Sequence, residues 1–256
     1  NERDGICVNR ATITAMKALR KAIRDKRALV FFDLEGTQFS HEMIEIGAYS
    51  VLLHDDLTVK NINQPFKRYV KAQNPVGRIV TDLTGITEKK LQDEGVLFPQ
   101  AFSEFRHYIK KYENRCIFVA FGNQDIKIIE SSVYLNGDAG LSFSRLMKKN
   151  YLDFSAFISS YIKDEHGNPY SLANYLKLFS IPFEGQAHDA VADAYNLIEL
   201  YKALLTKKDI VRSEYEKTLS RLHHLPSPIA MIVSKLKNGE IVTPTDFDKA
   251  VEDSLK

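Results

Sequence analysis

In the stretch FFDLEGT (31–37) two carboxylates, Asp33 and Glu35, close an apolar run. Side chains at i and i+2 of a strand point to one face. The two acids therefore sit side by side, where ionised carboxylates repel unless something positive lies between them. Two further stretches share the oddity. In FVAFGNQD (118–125) an apolar run passes through Gly122, Asn123 and Gln124 into Asp125. In AHDAVADAYNLIELYKALL (187–205), His188, Asp189 and Asp193 stand at the start of a long helical pattern. Strand ends and helix starts are where α/β proteins assemble sites.

The cost of gathering such acids suggests what they are for. Two carboxylates about 4 Å apart repel by roughly 1 to 4 kcal/mol between the dielectric of water and that of a protein surface. Six pairs among Asp33, Glu35, Asp125 and Asp193 lose several kcal/mol, against a usual domain margin of about 5 to 15 kcal/mol. Divalent cations reverse the sign, and all-oxygen donors select Mg²⁺ or Mn²⁺ over softer metals. Helical geometry, about 100° per residue, puts Ala190, Val191, Ala194, Leu197, Ile198, Tyr201 and Leu204 on one apolar arc. Asp193 falls at its edge, within reach of a sheet, and Asp189 is placed to cap the helix N-terminus. His188 precedes the helix, on a loop from which it can swing toward a substrate, and an imidazole of pKa about 6.5 suits proton transfer. Each residue alone has a plainer reading: a salt bridge for Asp33 and Glu35, a helix cap for Asp125, a surface histidine for His188. Their combination at element boundaries is far more specific.

Those boundaries require elements to position them. ALVFFDL (28–34), MIEIGAYSVLL (43–53) and PFKRYV (65–70) read as three strands in an antiparallel meander, the second with a glycine suited to close packing. CIFVAF (116–121) and YLDF (151–154) read as later strands, alternating with helices over 98–112, 123–137, 171–179 and 188–205. Strands early and helix–strand alternation later predict a mixed α/β sheet with helices on its faces. Before it, residues 11–27 read as an amphipathic helix with Ile13, Met16, Leu19 and Ile23 on one side, flanked by Lys17, Arg20, Lys21 and Arg24. Beyond 206 the pattern weakens, and LPSPIA (225–230) looks like a break before a short tail.

Composition sets limits. The 256 residues are 44% hydrophobic and 27% charged, as in soluble globular proteins. No apolar stretch is long enough to span a bilayer, and NERDGICVNR has no signal-peptide core. Cys7 and Cys116 form no framework and no metal spacing, so a reducing cytoplasm is the expectation, with Cys116 in the core. The net charge of +2 conceals +5 in residues 1–27, +1 in 206–256 and −4 in the body. A basic arm on an acidic body suits an enzyme acting on a polyanion, although such an arm also keeps a protein soluble. His223 and His224 have no partner at ligand spacing, so surface or packing roles are expected.

In FFDLEGT, FGNQD and HDAVAD, in that order and with His188 five positions before Asp193, the chain resembles the DEDDh 3′–5′ exonucleases. EIGAY (45–49) and LTGIT (83–87) match secondary signatures, and the resemblance covers residues 28–205. NPVGRIVTDLTGIT and IPFEGQAHDAVADAYNL are more similar to the RNA-trimming branch that includes histone-mRNA exonuclease. The resemblance implies an RNase H-like mixed five-stranded sheet flanked by helices, with 1–27 and 206–256 as extensions. It implies two ions, Mg²⁺ or Mn²⁺, held by Asp33, Glu35, Asp125 and Asp193, with Asp33 shared between them and Glu35 at the attacking water. His188 would then be the general base, and Gly36 and Thr37 would hold the terminal nucleotide of single-stranded RNA or DNA. Rival readings are a proofreading partner of a DNA polymerase and a catalytically idle nucleic-acid-binding module; the latter should lack a ligand or the histidine.

Overall fold

The computed structural model describes residues 17–220 and 225–255. Ile13, Met16, Cys7, His223 and His224 lie outside them. Tertiary contacts divide the chain into two compact units, Asn1–Tyr215 and Glu216–Lys256.

In the first unit the strands are β1 (Ala28–Gly36), β2 (Met43–Leu53), β3 (Val59–Ile62), β4 (Phe66–Lys71), β5 (Val96–Leu97), β6 (Cys116–Ala120) and β7 (Tyr151–Asp153). They form one sheet in the order β5-β4-β2-β1-β6-β7, with β3 also on β2. Pairing is antiparallel among β1, β2, β3 and β4, and parallel for β1–β6, β6–β7 and β4–β5. The expected mixed sheet is present with seven strands rather than five. The additions are β3 and β5, four and two residues long, too short for a periodic signal.

The central strand β1 is apolar and buried from Ala28 to Phe32, before its two acids, because the sheet is covered on both faces there. Leu29 and Phe31 join one core with Leu19 of α1 (helical over 17–22) and Ile23 in the turn after it, Tyr175 and Leu176 of α8 (Leu172–Leu178), and Leu197, Ile198 and Tyr201 of α9 (Ala190–Thr206). Val30 and Phe32 join the other, with Phe98, Phe102 and Phe105 of α4 (Phe98–Tyr108), Ile128 of α5 (Gln124–Leu135) and Phe143 of α6 (Leu141–Lys149). Odd-numbered positions of β1 thus face α9. Cys116 is buried in the second core, as expected. The basic segment docks through its apolar side, since Leu19 and Ile23 are fully buried.

The second unit contains α11 (Ser227–Lys237) and α12 (Pro244–Ser254), packed on one another and pinned by a Lys235–Asp246 ion pair of 2.6 Å. Thr243 and Asp246 cap α12 reciprocally. Among the described residues no helix is long and apolar enough to cross a membrane.

Candidate active site

The acids meet because strand phase and helix placement coincide. Asp33 and Glu35 continue the odd-numbered face of β1, beneath the N-terminus of α9. Asp33 lies opposite Gly47, and Glu35 opposite Glu45. A Cβ on Gly47 would stand 2.2 Å from the backbone carbon of Ala190, so α9 rests directly on bare strand backbone. That approach brings Asp193, in the first turn of α9, down to the sheet. Donor atoms of Glu35, His188 and Asp193 all fall within 4.8 Å of one another, and His188 Nδ1 is 4.0 Å from Glu35 Oε1.

Asp125 arrives from α5, which packs on the other core. Gly122, at φ 107°, provides the left-handed turn between β6 and α5. Its N–H donates to Asp153 Oδ1 at 3.1 Å, and the Tyr151 hydroxyl donates to its carbonyl. Asp125 is buried, and its Oδ1 accepts from Leu34 N at 2.9 Å. The bond sets Asp125 against the backbone between Asp33 and Glu35.

The electrostatics are those of crowded anions. Burial, followed by repulsion from Asp125, Asp193 and Glu35, holds the Asp33 carboxyl well above its ordinary range. Burial and the charge of Asp193 push Glu35 up to about 8. Asp125 is raised mainly by burial, against the pull of its backbone hydrogen bonds. Asp193 rises to about 6 because burial outweighs the His188 N–H and imidazole that favour its charged form. Convergent oxygen donors whose protons are held by burial and mutual repulsion, rather than by a partner that needs them, fit hard divalent cations.

His188 is exposed on a turn just before α9, at φ 65°, a left-handed conformation that few non-glycine residues adopt. Its N–H donates to Asp193 Oδ2 at 3.0 Å. Asp189 is the N-cap, its Oδ1 accepting from Val191 N at 3.1 Å and Ala192 N at 3.0 Å. Gly36 and Thr37 sit where β1 turns. A Cβ on Gly36 would lie 2.9 Å from Ile128 Cδ1, so packing on α5 accounts for the glycine. Thr37 is buried, and its Oγ1 accepts from Glu42 N at 2.9 Å and lies 2.7 Å from Ser40 Oγ.

Sequence reasoning missed Glu45, Lys67, Tyr151 and Asp153. Glu45 left a signal, as a carboxylate inside the apolar run MIEIGAY. Buried at 1% exposure, it lies 2.8 Å from Lys67 Nζ through Oε1.

This acid–histidine constellation, at the end of the central strand, is that of a DEDDh-type nuclease. Residues 30–201 match the RNase_T exonuclease family model, and the chain belongs to that family, in its DEDDh class of 3′–5′ exonucleases. A comparison with curated proteins found no match. Among solved structures, the nuclease domain of 3′hExo, a DEDDh family member bound to rAMP, aligns with TM-score 0.58 and 18% identity over 71% of this chain and 93% of that one. Cell-death related nuclease 4 (CRN-4) aligns with TM-score 0.58 and 20% identity over 71% of this chain and 64% of that one. E. coli exonuclease I in complex with a dA16 oligonucleotide aligns with TM-score 0.54 and 19% identity over 79% of this chain and 47% of that one. The last two are thus matched over less than two thirds of their length, and all three share the fold.

Proposed function

We propose that the chain removes 5′-nucleoside monophosphates from the 3′ ends of single-stranded nucleic acid, with RNA preferred, in a reaction dependent on Mg²⁺ or Mn²⁺. The observation that carries this reading is the convergence of Glu35, His188 and Asp193 within 4.8 Å, with Asp125 bonded to the strand beside them.

Asp33, Glu35, Asp125 and Asp193 would hold two divalent ions, Asp33 serving both. When bound, such ions stabilise charge on the attacking and leaving oxygens of an in-line displacement. His188 takes a proton from the attacking water through an imidazole nitrogen, and Glu35, alongside, orients that water. The half-exposed imidazole of His188 is free to swing about its side-chain bonds as substrate enters and product leaves. Gly36 and Thr37 shape the floor under the terminal nucleotide through their backbone. Phe39, in the turn that follows and 82% exposed, offers the kind of ring on which bases stack whatever their sequence.

The lean toward RNA rests on NPVGRIVTDLTGIT and IPFEGQAHDAVADAYNL, and on structural similarity to a 3′-exonuclease that recognises the histone mRNA stem-loop. Similarity to exonuclease I, solved with DNA oligonucleotides, supports single-stranded DNA as the alternative substrate. We assign the nuclease to residues 28–205, with 1–27 a basic extension, 206–256 a C-terminal one, and the cytoplasm the compartment. The complete acid–histidine set speaks against an idle binding module.

The test is incubation with Mn²⁺ and 5′-end-labelled single-stranded RNA or DNA of equal sequence. The expected result is a ladder shortened from the 3′ end, faster on RNA. Cleavage of neither strand would overturn the reading, and a ladder on DNA alone would reverse the preference.

A further inference from the structure

The N-terminus of α9 is tied to the sheet by a group outside the acid–histidine constellation. Lys67 of β4 lies opposite Gly47 of β2, which in turn lies opposite Asp33 of β1, so the three residues form one row across the sheet. Gly47 contributes no side chain, and the α9 backbone occupies that space. The half-buried Lys67 ammonium pairs with Asp189 Oδ2 and lies 2.8 Å from Glu45 Oε1. Glu45 Oε2 accepts from Ala190 N at 3.4 Å. Both Asp189 oxygens are therefore engaged: Oδ1 caps α9, and Oδ2 is held by Lys67.

Resting on the nuclease reading, we propose that Lys67 is a positioning residue for His188. Asp189 is the next residue after His188, and clamping it to the sheet fixes where the strained φ 65° turn begins and ends. The turn directs the His188 N–H onto Asp193 and leaves its imidazole 4.0 Å from Glu35. Without the clamp, α9 keeps its cap and its apolar contacts, while the turn becomes free to relax to commoner backbone angles. The effect belongs on the chemical step, because neither Lys67 nor Asp189 is among the proposed ligands.

A plainer role must be separated from this one. Lys67 also neutralises Glu45, whose side chain is 2% exposed, and an unpaired buried carboxylate destabilises any protein. The pair of variants Lys67→Met and Lys67→Met/Glu45→Gln divides the two. The double variant melts near the wild type, with kcat on a short RNA lowered about 10- to 100-fold, the range for partners that orient reactive groups. Its KM and Mn²⁺ affinity stay within about threefold of wild type, and Lys67→Arg recovers most of kcat, because Arg can reach the same carboxylates. Amide hydrogen exchange over residues 187–192 is faster in the double variant, a readout independent of turnover. Wild-type kcat in the double variant, or unchanged exchange over 187–192, would overturn the proposal while leaving the nuclease reading intact. An inactive wild type would defeat the nuclease reading instead, and the exchange measurement would still decide the clamp. Should the double variant not fold, Asp189→Asn, which keeps a capping oxygen, carries the same comparison.

Discussion

At the scale of single residues, the proposed roles of His188 as base and Asp33 as shared ligand make separable predictions. Removing the imidazole should cost about 10²- to 10⁴-fold in turnover, the usual worth of a positioned general base. The carboxylates would be untouched, so His188→Ala should bind Mn²⁺ as wild type does; near-normal rates in that variant would contradict the assignment. The raised carboxyls also make a pH prediction. A group whose pKa is higher in the folded chain lends stability that is whole below its unfolded value and is lost as pH climbs through the folded one. For Asp193 and Glu35 those folded values are about 6 and about 8. Metal-free protein should therefore melt at a lower temperature near pH 8.5 than near pH 5.5, and saturating Mg²⁺ should narrow the gap by favouring the ionised acids. A melting temperature that rises across that window in metal-free buffer would count against the crowding.

At the scale of elements, the contact between β2 and α9 governs the site. Gly47→Ala places a methyl where the Ala190 backbone stands, 2.2 Å away, and α9 must lift. Overpacking of this kind costs about 1 to 3 kcal/mol, and a shift of about 1 Å in reacting groups costs about 10²-fold in rate. We expect a modest fall in melting temperature and a disproportionate fall in kcat, measured on one preparation; equal and small effects would show that α9 tolerates displacement. Much of this layer was legible in the sequence. The phase of β1 followed from the i, i+2 spacing of Asp33 and Glu35, and the Asp189 cap from its place before Ala190. What could not be read was the partner of each face. Glu45 and Lys67 are two residues off register along neighbouring strands, and nothing local to either says that they pair with one another and hold the start of α9, Lys67 at Asp189 and Glu45 at the Ala190 N–H. The short strands β3 and β5 were likewise invisible, because pairing with β2 and β4, rather than periodicity, makes them strands.

Over the whole molecule, the proposed action on a polyanion raises the question of whether the basic N-terminal segment handles substrate or serves only the fold. Residues 1–27 carry a net charge of +5, and in α1 the apolar side is spent on the core while Lys17 and Lys21 face solvent. Arg20 donates to Asp55 O at 2.7 Å and also pairs with Asp25 Oδ1 at 3.7 Å, whereas Arg24 donates to two neutral acceptors, Lys149 O at 2.9 Å and Asn150 Oδ1 at 3.3 Å. Lys17→Gln/Lys21→Gln should leave melting unchanged and weaken binding to long single strands, lowering the slope of log K against log salt by up to about 0.7 per lost phosphate contact. An unchanged slope would mean that the segment serves the fold alone. The sequence disclosed this segment's two-sided character but not which side prevailed, since docking depends on the pocket that Leu29, Tyr201 and their neighbours form around Leu19 and Ile23.

The most direct measurement is a calorimetric titration of Mn²⁺ into the wild type and into Asp33→Ala at neutral pH. The account predicts two ions per chain in the wild type, with proton release from the raised carboxyls, and clear weakening of both ions once Asp33 is gone. Equal Mn²⁺ affinity in the two proteins, or no binding to either, would contradict it.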